Sequence, residues 1–137
     1  MGPELDSLAW GFPWLIFYLL TVTAIFVLGM FLYVKMTKHK EFELVGNGNM
    51  AAAVHLSALA VSLALPLAAC LVNKIGLVDV AVWGTFSLIL QLFLFRVTDA
   101  IFRGMSERIV NNEVAPTMVL AAFKLSGSLI LAFAIAG

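Results

Sequence analysis

Four apolar stretches, each long enough to cross a bilayer, are joined by connections too short to fold alone, and this leaves the chain few options. They lie at about residues 12–35, 50–72, 78–102 and 115–137. A helix needs about 20 apolar residues to cross a hydrocarbon layer of roughly 30 Å. Lipid offers no hydrogen bonds to a bare backbone, so spanning segments are helices or closed barrels. No run of alternating polar and apolar residues points to a barrel. The predicted fold class is therefore all-α: a polytopic membrane protein with one domain over residues 1–137, four transmembrane helices in two consecutive hairpins, and both termini outside.

The chain is 63% hydrophobic and 12% charged, against about 45–50% and 25% in ordinary soluble domains. A soluble fold of 137 residues could not hide so much apolar surface. Eight basic and eight acidic residues cancel, which gives no reason to expect nucleic acid as a partner. The single cysteine, Cys70, cannot make an internal disulfide and reads as a small buried hydrophobe. We find no Ser–His–acid arrangement, phosphate loop or Cys/His cluster, so no catalytic, cofactor-binding or metal-binding residues are assigned and no enzyme is expected. The start, Met1-Gly2-Pro3-Glu4-Leu5-Asp6, is acidic where a cleavable signal would be basic, and it reads as the start of the mature chain.

Lys and Arg near the span ends set the expected orientation. Lys35, Lys38 and Lys40 flank the first connection and Arg103 and Arg108 lie in the third, with only Lys74 on the other side. The first and third connections are thus expected in the cytoplasm. Trp10, Trp14 and Trp83 would then mark the outer interface. The second connection is short, which predicts a tight hairpin between the second and third spans. The entries to the second and fourth spans look alike: "GNGNMAAAVHLSALA" and "VNNEVAPTMVLAAFK". Asn47, Asn49, Asn111 and Asn112 can cap these helix starts. This similarity suggests two hairpins of the same polarity, related by an axis along the membrane normal.

Several of these residues also carry a family resemblance. Gly48-Asn49 before Ala51-Ala52-Ala53, Leu65-Pro66-Leu67, Trp83 and Gln91-Leu92 together resemble the YjfL-type small inner-membrane proteins of bacteria, a family known as a domain of unknown function. The resemblance runs over about residues 40–137. It implies a bacterial inner-membrane location, four helices per unit, and relatives that fuse two units in tandem. It also implies genomic association with aminopropyltransferases and membrane-stress proteins. It assigns no site residues.

Polar groups inside the spans are the functional candidates. At 100° per residue the second span aligns His55, Ser62 and Asn73, the third aligns Ser87, Gln91 and Thr98 with Asp99 at the edge, and the fourth aligns Thr117, Lys124 and Ser128. The first span offers little beyond Tyr18 and Thr21 and is expected to face lipid. Pro66 should kink the second span, either as a fixed packing feature or as a hinge that opens a carbonyl to a solute. Ala60, Ala64 and Ala68, with Ser128, Ala132 and Ala136, form small-residue stripes for helix packing, inside the bundle or between subunits.

At 1.5 Å per residue Lys124 lies about 13 Å, His55 about 8 Å and Asp99 about 5 Å from the cytoplasmic side. Lys124 can snorkel, pair with Asp99, or share a wet cavity with His55 and Gln91. His55 reads as a neutral imidazole bonded across helices, and Arg96 as a headgroup anchor. The expected function is an oligomeric channel or transporter for a small ion or solute, lined by His55, Ser62, Gln91, Thr98, Asp99, Thr117, Lys124 and Ser128. The alternative is a membrane-stress or signalling subunit whose cytoplasmic loops dock a protein partner or anionic lipid, although Lys38, Lys40, Glu41 and Glu43 read equally well as a solvated interfacial turn. The expected partners are the lipid bilayer and further copies of the chain.

Overall fold

The computed structural model describes residues 2–37, 40–72 and 76–137. Lys38, Asn73 and Lys74, used above for charge bias and for the second span's polar line, lie outside the described residues. The described chain is helical: α1 (Pro3–Met36), α2 (Glu41–Gly46), α3 (Met50–Val72), α4 (Leu77–Ile101), α5 (Met105–Val110) and α6 (Val114–Ala136). The four long helices are the expected spans. Their bounds match the sequence reading within a residue or two, except that α1 begins at Pro3 and not near residue 12. Proline suits a first helical position because its missing N–H has no intrahelical partner there. At 34 residues α1 reaches about 51 Å, well beyond a hydrocarbon layer.

The sequence did not announce α2 and α5. Each has six residues and closes in the same way. After α2, Asn49 N–H donates to Leu44 O and Gly48 N–H to Val45 O; after α5, Glu113 N–H donates to Arg108 O and Asn112 N–H to Ile109 O. These are paired Schellman closures, which need a left-handed residue just past the helix. Gly48 (φ 87°) and Asn112 (φ 59°) fill that position.

The direction of the helices follows from their contacts. Gly29 of α1 packs on Leu88 of α4, and Gly84 of α4 packs on Ile25 of α1. Both contacts advance along the chain together, so α1 and α4 run parallel. His55 and Ser62 of α3 meet Lys124 and Ser128 of α6 in the same sense, so α3 and α6 are parallel too. The molecule is two units of one long helix, one short helix and one long helix, laid side by side with equal polarity, as the repeat reading anticipated.

The asparagines link these units. Asn49 Oδ1 accepts from Ala52 N–H and so caps its own helix α3, while its Nδ2 donates to Ile109 O and Val110 O at the end of α5. Asn112 was expected to cap α6. Its Oδ1 instead accepts from Ala51 N–H of α3 at 3.0 Å. Glu113 takes the position before α6 and makes no side-chain cap. Asn47 and Asn111 follow the ends of α2 and α5, so neither begins a helix.

Two apolar groups of side chains fill the bundle. Ile25, Leu59, Leu63, Leu67, Leu88 and Phe95 form the middle with Tyr33; Ala52, Met105, Ile109 and Leu120 seal the α2/α5 end. Helix α1 buries only Ile25, Gly29 and Tyr33, one residue per turn on one line. Val22, Phe26 and Met30 pack half-buried against the same core, and the rest of its apolar surface faces outward. Cys70 is buried.

A buried ionisable cluster as the candidate functional site

Four helices converge on Lys124 just inside the α2/α5 end. Its ammonium reaches Tyr33 Oη of α1 at 2.5 Å, His55 Nε2 of α3 at 2.8 Å and Asp99 Oδ1 of α4 at 2.7 Å. The three Nζ protons thus meet three acceptors, one from each neighbouring long helix. The Phe95 ring centre lies 5.5 Å from Nζ and adds cation–π attraction. Lys124 is 2% exposed, so it does not snorkel to the surface.

The network continues on both sides. Tyr33 Oη donates to Asp99 Oδ2 at 2.7 Å, so both carboxylate oxygens of Asp99 are engaged. With His55 Nε2 accepting from Lys124, the imidazole proton sits on Nδ1 and is donated to Glu41 Oε1 at 2.5 Å. Glu41, His55, Lys124, Tyr33 and Asp99 therefore form one unbroken chain of hydrogen-bonded ionisable groups from α2, α3, α6, α1 and α4. Burial of charge is costly unless such partners offset it. Here the ammonium lies between two carboxylates.

The cluster is open on one side. A cavity of about 450 Å³ at the α2/α5 end reaches Tyr33, His55 and Asp99, with Arg96, Arg103 and Glu107 on its outer wall. Asp99, with 27% of its side chain exposed, is the member nearest that opening.

Two members were missed in the sequence reading. Tyr33 was passed over when the first span was judged nearly free of polar residues, yet it is 1% exposed and touches Lys124 and Asp99. Its signal was the line Ile25–Gly29–Tyr33, a residue per turn with glycine allowing close approach. Glu41 was assigned to a solvated turn, but it is fully buried. The reason is α2: a helix start at Glu41 turns that side chain inward against His55, which an unstructured loop would not do.

The remaining candidates occupy other surroundings. Thr98 and Thr117 donate to Leu94 O and Glu113 O in their own helices, which satisfies their hydroxyls locally. Arg96 is exposed and directs Nη1 to Met36 O at 3.5 Å. Ser128 Oγ donates to Ser62 O at 2.5 Å. That carbonyl lies four residues before Pro66, whose missing N–H would otherwise have bonded it. The proline's freed acceptor is thus taken by α6, in keeping with a fixed packing feature. Gln91 is 1% exposed, and neither atom of its carboxamide has a partner among the described residues; the same holds for Ser62 Oγ. Of the alanine stripes, Ala132 is buried while Ala60 is half-buried and Ala64, Ala68 and Ala136 are exposed. Among these small residues the bond between α3 and α6 instead runs from Ser128 to the Ser62 carbonyl. No cluster of metal-ligating side chains occurs among the described residues.

Fold and site together define a small four-span helical membrane protein organised around a buried ionisable centre. Residues 7–135 match the family described as Domain of Unknown Function (DUF350), and the chain belongs to that family. It is 29% identical over 112 residues to the UPF0719 inner membrane protein YjfL of Escherichia coli K12, covering 82% of this chain and 85% of that protein. The same protein from Escherichia coli O157:H7 gives the same figures. No solved structure matches the chain. The chain is thus a small multi-pass inner-membrane protein.

Proposed function

We propose that the chain is a transport unit for a small ion or solute, and not an enzyme, with the Glu41–His55–Lys124–Tyr33–Asp99 cluster as its selective centre. One observation carries this reading: an ammonium buried at membrane depth, held from three long helices by Tyr33, His55 and Asp99, which themselves line an open cavity. Ionisable groups at such depth are costly and mark ion or proton pathways in membrane proteins. A purely structural tie between two helices would need one pair, not five linked groups with one edge toward solvent.

In this reading the α2/α5 end faces the cytoplasm. Lys35, Lys40, Arg96, Arg103 and Arg108 gather there, as the bias of basic residues toward the cytoplasmic side requires. The exposed faces of α1 and of Ala60–Ala64–Ala68 meet lipid or further copies of the chain, consistent with a homo-oligomer. Docking of a protein through the first connection finds less support, because Glu41 points inward. The test is flux into liposomes holding the purified protein. Transport of at least one small ion by the wild type, abolished in Lys124→Met protein that still folds, supports the reading; equal flux in both rejects it.

A further inference from the structure

Beyond the charged centre, Gln91 presents an unexplained feature. Its carboxamide is buried mid-bundle with neither oxygen nor nitrogen paired among the described residues. Buried amides almost always find partners, and an exception calls for an ion, a water or a functional role. Ser62 Oγ is also unpaired and fully buried, beside Leu63. Gln91 lines a crevice with Leu63, Pro66, Leu67, Ser87 and Leu88 that is too narrow for a water molecule in this packing. One uncommitted amide therefore faces a space that must widen before anything enters, while the unpaired Ser62 hydroxyl lies one helical turn before Pro66 on α3.

The route to this crevice is equally specific. Gln91, Phe95 and Asp99 follow at four-residue spacing along α4, so they share one face of the helix. Phe95 is 1% exposed, packs edge-on against Tyr33 with ring centres 5.2 Å apart, and stands between the Asp99–Lys124 pair and the Gln91 amide.

We propose that Gln91 is a second station of the pathway, that its ligand is water, and that the ion passed to it from Asp99 is a proton. This rests on the transport reading above. A crevice this narrow, walled by Leu63, Pro66, Leu67 and Leu88, admits water on modest widening but not a hydrated alkali ion. The charged groups facing Asp99 are Lys124 of α6, the Tyr33 hydroxyl of α1, Glu41 of α2 through His55 of α3, and Arg96, Arg103 and Glu107 around the cavity. A proton from the cavity adds to the Asp99 carboxylate as its bond to Lys124 loosens. The new O–H bond then breaks toward the first of a file of waters that passes Phe95 and ends at the Gln91 amide, about 12 Å along α4. The carboxylate closes again on the ammonium, the proton is carried on as hydronium along that file, and no side chain is altered.

Liposomes carrying the full chain and an internal pH-sensitive dye, with the membrane potential clamped, test this against parallel potassium and chloride fluxes. Gln91→Met should lower proton flux about tenfold, the effect of one lost hydrogen-bonded partner on a barrier. Its melting temperature in detergent should hold or rise, since two unpaired buried groups are removed. Phe95→Ala should raise proton flux with no rise in the parallel potassium and chloride fluxes, which a misfolded, leaky protein would raise together. Wild-type proton flux in Gln91→Met, alongside loss in Lys124→Met, overturns the second station and leaves transport standing. Potassium or chloride flux without proton flux overturns the proton as cargo. No flux of any species from folded wild type overturns the transport reading itself.

Discussion

The two halves of the molecule have the same backbone plan and different chemistry. Every donor and acceptor in the closure after α2 has its counterpart 64 residues later after α5, and α3 and α6 are both 23 residues long. In that register buried Glu41 corresponds to Met105, His55 to exposed Val119, and Lys124 to half-buried Ala60. Ser128 corresponds to Ala64, and Pro66 to Ile130. The shared features concern backbone satisfaction and helix direction, which any such pair of hairpins needs in lipid. The departures are the ionisable and kink-related residues. What repeats is therefore scaffold, and the site lies where the repeat is broken.

The strongest test of that division is Lys124→Met. It gives Lys124 the apolar character of its counterpart Ala60 while keeping the stem length. Removing one partner of a buried ion pair destabilises by about 3–5 kcal/mol, and the partial exposure of Asp99 should bring this toward the lower figure. The melting temperature in detergent should drop and flux should vanish. Adding Asp99→Asn removes the carboxylate left behind, so the double variant should recover most of the stability and none of the flux. Recovery of both would mean that the charges only hold helices together.

Next in size is Glu41→Met, which makes the first residue of α2 match that of α5. Met fills a similar volume, and methionine already serves at the equivalent buried site. The fold should survive at a cost of about 1–3 kcal/mol, set by the buried His55 donor that loses its carboxylate. His55 would lose the acceptor for its Nδ1 proton, and transport should slow measurably. Unchanged transport would restrict the functional chain to Tyr33, His55, Lys124 and Asp99.

How much of this could be read from residues alone follows from where each signal lies. The four spans were legible because about 20 apolar residues in a row have one physical explanation. Lys124 and Asp99 could be paired beforehand, since reach and depth depend only on rise per residue and side-chain length. His55 could be placed near them for the same reason. Tyr33 could not be singled out by polarity, because a tyrosine near a span end reads as an interfacial anchor. Glu41 was hidden because six-residue helices have too few turns for a hydrophobic period and form through tertiary contacts. The cross-hairpin use of Asn112 was out of reach as well. Its type announced a cap, but which helix it caps depends on how the two hairpins lie together.

Ser128 and Pro66 offer a finer test, because both are replaced by ordinary residues in the opposite half. Ser128→Ala should cost about 1–2 kcal/mol by leaving the Ser62 carbonyl buried and unbonded. Pro66→Ala restores an N–H four residues beyond that carbonyl, so Ser128→Ala made in that background should cost much less. A double-mutant cycle in detergent measures the difference. Equal costs in both backgrounds would show that Ser128 serves some purpose other than completing the proline's missing bond.

The smallest expected effects probe the shared scaffold itself. Asn49→Ala removes a cap on α3 and two bonds to the end of α5, whereas Asn112→Ala removes one bond to Ala51 N–H. Each lost cap should cost about 1 kcal/mol. Asn112→Ala also places a Cβ residue without asparagine's local bonding at φ 59°, so Asn112→Gly, which tolerates that backbone, should isolate the lost bond. The expected order of destabilisation is Asn49→Ala, then Asn112→Ala, then Asn112→Gly. All three should retain full flux per folded molecule, because none of these bonds involves a member of the ionisable chain. Loss of flux in Asn112→Gly at unchanged stability would mean that the alignment of the two hairpins is itself part of the transport cycle, and the separation of scaffold from site would have to be withdrawn.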